Sequence, residues 1–257
     1  MEINSENNKM YDKDLQLNDE NINIDTQSVG NKKKKKKKNK NKKEIPYSQE
    51  ILRKIVHLIS LSIPIIYIFV TEAFALTILI PMAAVTVTLD LWSRKKDSWA
   101  NKFIYGFFGS MLRKHELKKK KLVLNGASWV LISAVLTVLI FPKVIAVIAF
   151  MILIVSDISA ALVGRKWGKT KLGKKSLEGT SAFVFSGFLV VLIVGLLFDA
   201  DIYFYIAGFS GAGLGAAAEL YAKQLKLDDN LSIPMGVGIM MLAVAKLING
   251  NFLNLMN

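Results

Sequence analysis

The sequence predicts an all-α fold, a polytopic membrane helix bundle of about seven transmembrane helices preceded by a disordered basic N-terminal tail. Hydrophobic residues make up 52% of the 257 residues and charged residues 21%, and apolar blocks alternate with lysine-rich loops along the chain. The chain has no cysteine and two histidines. These counts exclude disulfides, thiolate catalysis and cysteine-ligated metal sites, and they disfavour a zinc centre built from histidines.

The first 44 residues are polar and rich in asparagine and lysine, with an unbroken lysine run at 32–38. Such a composition cannot bury a core, so we expect residues 1–44 to be a disordered cytoplasmic tail and residues 45–257 to form the membrane domain. Because a membrane domain follows, attraction of the tail to anionic lipid is favoured over binding to nucleic acid, and an inert extension is the other alternative. No signal peptide is expected, because the first 30 residues contain no apolar segment.

A helix that crosses a bilayer needs about 20 mostly apolar residues. Seven blocks of about this length are present, at 51–70, 72–92, 122–141, 144–163, 181–198, 202–222 and 233–248. Each block is therefore predicted to be a transmembrane helix, and the ends of the fourth and seventh blocks are the least sharply marked.

The connections between these blocks alternate in charge. The long ones are basic, with ten Lys and Arg residues in 94–121 and six in 165–175, whereas those at 71, 142–143 and 199–201 are very short. The positive-inside rule then places the N-terminus and the long basic loops in the cytoplasm. With an odd number of spans, the C-terminus lies on the opposite side of the membrane.

Two carboxylates, Asp157 and Glu219, lie inside apolar blocks near the end predicted to be cytoplasmic. A charged side chain in the bilayer is costly, so both are expected to face the bundle interior or a water-filled cavity. Carboxylates and lysines gathered at one face are typical of a site for a metal ion and phosphates. The alternative is ordinary solvated loop charge, which carries more weight for the individual loop lysines than for Asp157.

The segment 157–179 joins the fourth and fifth spans and is the most informative part of the chain. Gly164, Gly168 and Gly173 allow tight turns whose N–H groups can face an anion. Six basic residues lie among them, and the start of the fifth span adds a helix N-terminus that favours negative charge. The stretch 164–170 is not a Walker A loop, because three residues instead of four separate its glycines and it follows a membrane helix.

This segment resembles the core of the CTP-dependent lipid kinases, the family of dolichol kinase, phytol kinase and CTP-dependent diacylglycerol kinase. The matching positions are Asp157, Ala161, Gly164, Arg165, Gly168, Lys169, Lys171, Leu172, Lys174, Lys175, Ser176, Glu178 and Gly179. Three further segments resemble the same family: Glu50 with Arg53, Lys54 and His57; Arg113 and Glu116 with the run 125–128; and the run 228–234. The resemblance covers about residues 47–248.

The resemblance implies transfer of the γ-phosphate of CTP to the hydroxyl of a lipid alcohol, with Mg²⁺ as the divalent cation. With it, Asp157, Glu178, Asp228 and Asp229 are the expected catalytic carboxylates. Asp157 and Glu178 are expected to hold the metal, and Asp228 or Asp229 to bind a metal or to orient the attacking hydroxyl. The resemblance assigns the nucleotide and its phosphates to Gly164, Arg165, Gly168, Lys169, Lys171, Lys174, Lys175, Ser176, Gly179 and Asn230. The remaining candidates, proposed to line the entrance for lipid, are Arg53, His57, Arg113, Glu116, Asn125 and Glu219.

Several alternatives remain open at this level. Phosphatidate cytidylyltransferases, which make a CDP-lipid, carry a segment related to 157–179, but their C-terminal signature is not found here, since no histidine follows His115. A transporter or a non-catalytic scaffold is the alternative from another class, and no internal repeat favours it. His57 and Glu219 also have structural explanations, a hydrogen bond and helix packing. The acceptor lipid, the preference for CTP over ATP, the host membrane and the oligomeric state are left undetermined.

Overall fold

The computed structural model describes residues 51, 54–55, 57–93, 99, 124–222, 224–248 and 250–256. The chain divides into two units, Met1–Pro46 and Tyr47–Asn257, and every described residue belongs to the second. The predicted tail therefore lies outside the described residues, and its division from the membrane domain stays a prediction.

The described residues are mostly helical. A helical turn at 57–59 is followed by α1 (Ser62–Phe69), α2 (Glu72–Trp92), α3 (Gly126–Ile140) and α4 (Lys143–Trp167). After a small hairpin of β1 (Lys171–Leu172) and β2 (Lys175–Ser176) come α5 (Leu177–Leu197), α6 (Ile202–Tyr221) and α7 (Asp229–Leu247), and then a 3-10 turn, Asn251–Asn254. The antiparallel hairpin pairs Lys171 with Ser176 and Leu172 with Lys175, and it is the one departure from the expected all-α fold among these elements.

Four of these helices are long and apolar enough to cross a membrane: α2, α4, α5 and α7. The predicted spans 51–70 and 122–141 coincide with shorter apolar helices, His57–Phe69 and Gly126–Ile140. The predicted span 202–222 coincides with α6, whose glycines and Glu219 lower its mean hydropathy. Membrane-compatible helices are thus confirmed in the described part of the chain, while the count of seven spans stays a prediction.

The structure corrects three predicted helix boundaries, two in the segment 157–179 and one in the segment 228–234. α4 continues to Trp167, so Gly164 and Arg165 are helical and do not lie in a loop. α5 begins at Leu177, four residues before the predicted start, because the side chain of Ser176 accepts a hydrogen bond from the Gly179 N–H and caps the helix. α7 likewise begins at Asp229, because the Asp228 carboxylate caps it.

Helix α4 forms the centre of the bundle. It packs most extensively against α5, and it also contacts α1, α3, α6 and α7. α6 packs closely on α7, since a Cβ atom at Gly215 would lie 2.7 Å from a methyl group of Val237. α2, in contrast, packs mainly against α3 and leaves most of its surface exposed.

The polar end of the bundle, as we call it, is where α2, α4 and α6 end and where α3, α5 and α7 begin. The carboxylate of Asp90, near the end of α2, accepts a hydrogen bond of 2.8 Å from the N–H of Asn125, which caps α3. A Cβ atom at Gly126 would lie 3.7 Å from the side-chain nitrogen of Asn230 on α7. Polar residues from distant parts of the sequence therefore meet at this end.

Candidate functional site

Asp157 lies on α4 at the polar end and is 5% exposed. The ammonium group of Lys54, which is 4% exposed, forms an ion pair with the Asp157 carboxylate and lies 3.3 Å from the Asp157 carbonyl oxygen. The Nε2 atom of His57 lies 3.9 Å from the same carboxylate. Residues 54 and 57 are three apart, the spacing that places two side chains on one helix face. Asp157 therefore faces the interior, as the sequence predicted, and it is charge-paired there.

Lys175, on β2, forms a second ion pair with Glu219 of α6. Glu219 is 2% exposed, and its Oε2 atom has no hydrogen-bond partner among the described residues. Burial disfavours the charge on Lys175, but the carboxylates of Glu219, Asp157 and Asp229 outweigh this and raise its pKa above the usual value. The hairpin lysine is thus held as a cation inside the bundle.

The two ion pairs belong to one group, which we call the central charge cluster. The charge of Lys175 acts on Asp157 and Asp229 as well as on Glu219, and Lys54 and His57 complete the group through Asp157. Within the described residues, the cluster places three carboxylates, those of Asp157, Glu219 and Asp229, near two ammonium groups, those of Lys54 and Lys175. Carboxylates and ammonium groups in one buried site suit a cation that carries phosphates.

Ser176 packs among three glycines at the base of the hairpin. A Cβ atom at Gly168 would collide with the carbonyl oxygen of Gly164 and lie 2.6 Å from the Ser176 hydroxyl oxygen. At Gly179 it would lie 2.9 Å from the carbonyl oxygen of Ala160. These glycines are therefore required by close packing of α4, α5 and the hairpin, and they bring the hairpin against the start of α5.

Glu178 lies in the first turn of α5 and accepts hydrogen bonds from the Thr170 N–H, at 3.0 Å to Oε1 and 3.3 Å to Oε2. The backbone N–H of Leu177 donates to the Thr170 carbonyl at 2.9 Å. Together these bonds close the hairpin at its base. In the structure, Glu178 therefore holds the hairpin, and this contact differs from the metal contact that the resemblance implies.

The predicted phosphate-binding residues divide into buried and exposed members. Arg165 on α4 and Lys175 on β2 are half-buried. Lys169, Lys171 and Lys174 are exposed on or beside the hairpin. The hairpin thus presents positive charge to the solvent beside the central charge cluster, an arrangement that attracts anions towards the polar end.

A second polar group lies beside the cluster, where α3 and α7 begin. The Asp228 carboxylate accepts hydrogen bonds from the backbone and side-chain nitrogens of Asn230, at 3.1 and 2.8 Å. Asn125 caps α3 by accepting from the Ser128 N–H at 2.9 Å. Asp228 and Asn125 thus both act as helix caps, whereas Asp229 contributes to the central charge cluster.

The structure brings together four residues from different groups of the sequence prediction: Asp157, Lys175, Asp229 and Glu219. His57 and Glu219 were assigned to a lipid entrance, whereas the structure places both in the central charge cluster. Three other predicted site residues lie outside the described residues, namely Arg53, Arg113 and Glu116.

Two buried polar residues, Lys54 and Asp90, were given no role at the site by the sequence prediction. Lys54 was named within the resemblance, but its neighbour Arg53 received the site assignment, although the spacing to His57 marks Lys54 equally well. Asp90 lies two residues before the end of an apolar block. Like Asp157, it is a carboxylate inside a predicted span, the feature by which Asp157 was identified, and it is buried.

The resemblance implies Mg²⁺, which needs oxygen ligands such as the carboxylates at this site. In the part of the chain that the structure describes, no group of three or more His, Asp or Glu side chains is arranged to hold a metal ion by itself. Mg²⁺ does not require one, since it commonly binds one or two carboxylates, substrate phosphates and water. The buried Glu219 oxygen without a partner fits such a role, so Asp157 and Glu219 are suitable ligands for Mg²⁺ that arrives with a nucleotide.

Two known proteins are similar in sequence to this chain. The uncharacterized protein RP860 of Rickettsia prowazekii is 33% identical to this chain over 183 residues, which cover 71% of this chain and 88% of that protein. The CTP-dependent diacylglycerol kinase 1 of Schizosaccharomyces pombe is 34% identical over 143 residues, which cover 49% of this chain and 62% of the kinase. The chain thus spans about three fifths of the kinase's length. No family model matches the chain, and no solved structure matches it significantly.

Proposed function

The chain belongs to the same family as the rickettsial protein RP860, and we propose that it is an integral membrane lipid kinase. In this proposal it transfers the γ-phosphate of CTP to the hydroxyl of a lipid alcohol at the polar end of the bundle. The distant similarity to a CTP-dependent diacylglycerol kinase supports the choice of donor and reaction class.

The central charge cluster is the observation that carries this proposal. Phosphoryl transfer requires little covalent chemistry from a protein and depends mainly on positioning and on neutralisation of charge. Buried carboxylates beside buried lysines, at the base of a basic hairpin, meet both requirements. A scaffold or a lipid-facing structural protein has no need for three carboxylates in one buried group, because each of them is costly to bury.

The donor phosphates are proposed to lie between the hairpin and the central charge cluster. Lys175 and Arg165 would contact them from partly buried positions, Arg165 through two parallel N–H groups. Lys169, Lys171 and Lys174 would attract and hold the triphosphate from the solvent side. Gly164, Gly168, Ser176 and Gly179 would act by keeping the hairpin close to α4 and α5, as their packing indicates.

Bound Mg²⁺ would neutralise charge that develops on the phosphates during transfer. We propose Asp157 and Glu219 as its carboxylates. Glu178 and Asp228 remain candidates through the resemblance, although their observed contacts hold the hairpin and cap α7. Asn230, which contacts the α7 cap, is proposed to contact the nucleotide.

The acceptor hydroxyl would approach from the bilayer. Its oxygen attacks the γ-phosphorus, the new O–P bond forms, and the bond from the γ-phosphorus to the β–γ bridging oxygen breaks, so that CDP leaves. The hydroxyl proton passes to a carboxylate, for which Asp229 is proposed because it is buried beside Lys175. With the positive-inside orientation, this end faces the cytoplasm, where CTP is available.

The test uses purified protein in lipid with Mg²⁺ and a panel of lipid alcohols and lipid phosphates. CTP labelled at the γ-phosphate is supplied in one reaction and CTP labelled at the α-phosphate in another, and label extracted into organic solvent is counted. We expect extraction of the γ label only, with the responding acceptor identifying the substrate. Extraction of the α label, with release of pyrophosphate, would instead establish a cytidylyltransferase.

A matched pair of aspartate variants separates catalysis from folding in the same assay. Asp157→Asn should reduce transfer at least 1,000-fold, on the order expected when a charged group that positions phosphates is removed. Asp199→Asn, in the exposed turn at the other end of the bundle, should leave transfer unchanged. If neither label is transferred from CTP or ATP by the wild type, the transporter or scaffold alternative gains support.

A further inference from the structure

Lys54 is a buried lysine with a narrow set of contacts. The residue is 4% exposed. Within the described residues, its ammonium group makes two polar contacts, one with the Asp157 carboxylate and one with the Asp157 carbonyl oxygen. Lys175, by comparison, interacts electrostatically with three carboxylates, those of Glu219, Asp157 and Asp229. Of the two lysines in the central charge cluster, Lys54 is thus the one whose polar contacts within the described residues are with a single partner.

The charge balance of the cluster changes when a metal and a nucleotide arrive together. A divalent cation bound by the Asp157 carboxylate would lie close to the Lys54 ammonium, which contacts the same carboxylate, and the two positive charges would repel one another. The triphosphate, meanwhile, brings more negative charge than one divalent cation cancels. The flexible four-carbon stem of a lysine allows its ammonium to change partner within the same pocket.

We infer that Lys54 is a phosphate-binding residue whose ammonium moves from Asp157 to the donor phosphates when Asp157 binds the metal. In the resting protein the lysine neutralises the carboxylate, which would otherwise be buried without a partner. In the loaded protein each of the two groups has a new partner of opposite charge. This inference rests on the proposed function, and it adds to that proposal a residue outside the hairpin that binds the nucleotide.

The exchange is tested by binding measurements that require no turnover. Purified protein in lipid is titrated with Mn²⁺ alone, followed by electron paramagnetic resonance. It is also titrated with CTP, once in the absence of metal and once in saturating Mg²⁺, followed by calorimetry. The variants are Lys54→Met, which keeps the length and removes the charge, and Asp157→Asn. Lys246→Met, at an exposed position near the other end of α7, is the control.

Lys54→Met should bind Mn²⁺ at least fivefold more tightly than the wild type, because the lysine no longer competes for Asp157. In saturating Mg²⁺ it should bind CTP at least fivefold more weakly, because a phosphate ligand is lost. Asp157→Asn should bind metal-free CTP at least threefold more tightly, because Lys54 is then free to contact the phosphates, and it should lose its Mn²⁺ affinity. The control should match the wild type in all three titrations.

A Lys54→Met protein that melts like the wild type and keeps its affinity for CTP in saturating Mg²⁺ would overturn the inference, as would unchanged Mn²⁺ affinity. If Lys54→Met does not fold, Asp157→Asn decides the matter alone: metal-free CTP binding that is unchanged or weaker counts against the exchange. Failure of the proposed function can be distinguished from failure of this inference. If the wild type binds CTP and Mn²⁺ without transferring label, the proposed function fails, but the titrations still show whether Lys54 exchanges partners.

Discussion

Lys175 and Glu219 form an ion pair inside the bundle although 44 residues separate them in the sequence. The first lies on the hairpin after α4 and the second near the end of α6. This pair joins the basic hairpin to the membrane helices, so that a loop expected to be open to solvent has one member fixed in the interior.

Replacement of Lys175 by methionine is expected to reduce both stability and transfer. Removal of one partner of a buried pair costs about 3 kcal/mol, at the low end of the usual range because Lys175 is half-buried. Thermal unfolding in detergent and the γ-label assay measure the two effects. Lys174→Met, one residue away and exposed, should change the melting temperature little, and equal losses in both variants would contradict the assigned ion pair.

Gly168→Ala should destabilise the protein by about 1–3 kcal/mol, because its methyl group would overlap the Gly164 carbonyl and the Ser176 hydroxyl. Gly213→Ala on α6 is the control, since a Cβ atom there meets no atom within 4 Å. It should be neutral or stabilise the helix by up to about 1 kcal/mol. Melting curves of the two variants provide the comparison, and a harmless Gly168→Ala would argue against the packing described here.

Glu178→Gln distinguishes two roles for this residue. If Glu178 serves to hold the hairpin, the amide oxygen still accepts from the Thr170 N–H, and we expect a loss of transfer of about tenfold, consistent with weakening of one charge-assisted hydrogen bond. Steady-state transfer measured across Mg²⁺ concentrations gives the answer. A loss above about 1,000-fold, with an altered Mg²⁺ requirement, would instead identify Glu178 as a metal ligand.

Asp90→Ala should destabilise the protein by about 1–3 kcal/mol, because it leaves the partly buried N–H of Asn125 without its acceptor. Asp90→Asn keeps an acceptor oxygen and should retain most of that stability. Chemical or thermal unfolding of the two variants is the measurement. If Asn and Ala are equally damaging, the charge of Asp90 matters more than its hydrogen bond.

Much of the helical framework could be predicted from the sequence, since every described helix α1 to α7 falls within or overlaps a predicted span. Apolar blocks and short turns indicate helices because the bilayer leaves the backbone few alternatives. The starts of α5 and α7 were predicted four residues too late, because residues 177–180 and 229–232 are not strongly apolar. Capping side chains, which hydropathy does not detect, set the observed starts.

The composition of the central charge cluster could be predicted only in part. Asp157 was found because a carboxylate in an apolar block requires a partner. Its partner Lys54 is 103 residues away, and a spacing of that kind is set by helix packing, which one sequence does not reveal. Glu219 was recognised as unusual, but its contact with the hairpin depends on how α6 is placed relative to β2.

In both ion pairs the lysine is synthesised before its acidic partner, Lys54 before Asp157 and Lys175 before Glu219. A nascent lysine with a long stem can keep its charge at the membrane surface until its helix neighbours emerge from the ribosome, whereas a carboxylate on a short stem reaches less far. If the helices insert in the order of their synthesis, each of these acidic residues would meet a positive partner that is already present. The order of the residues along the chain therefore suits insertion during translation as well as the finished fold.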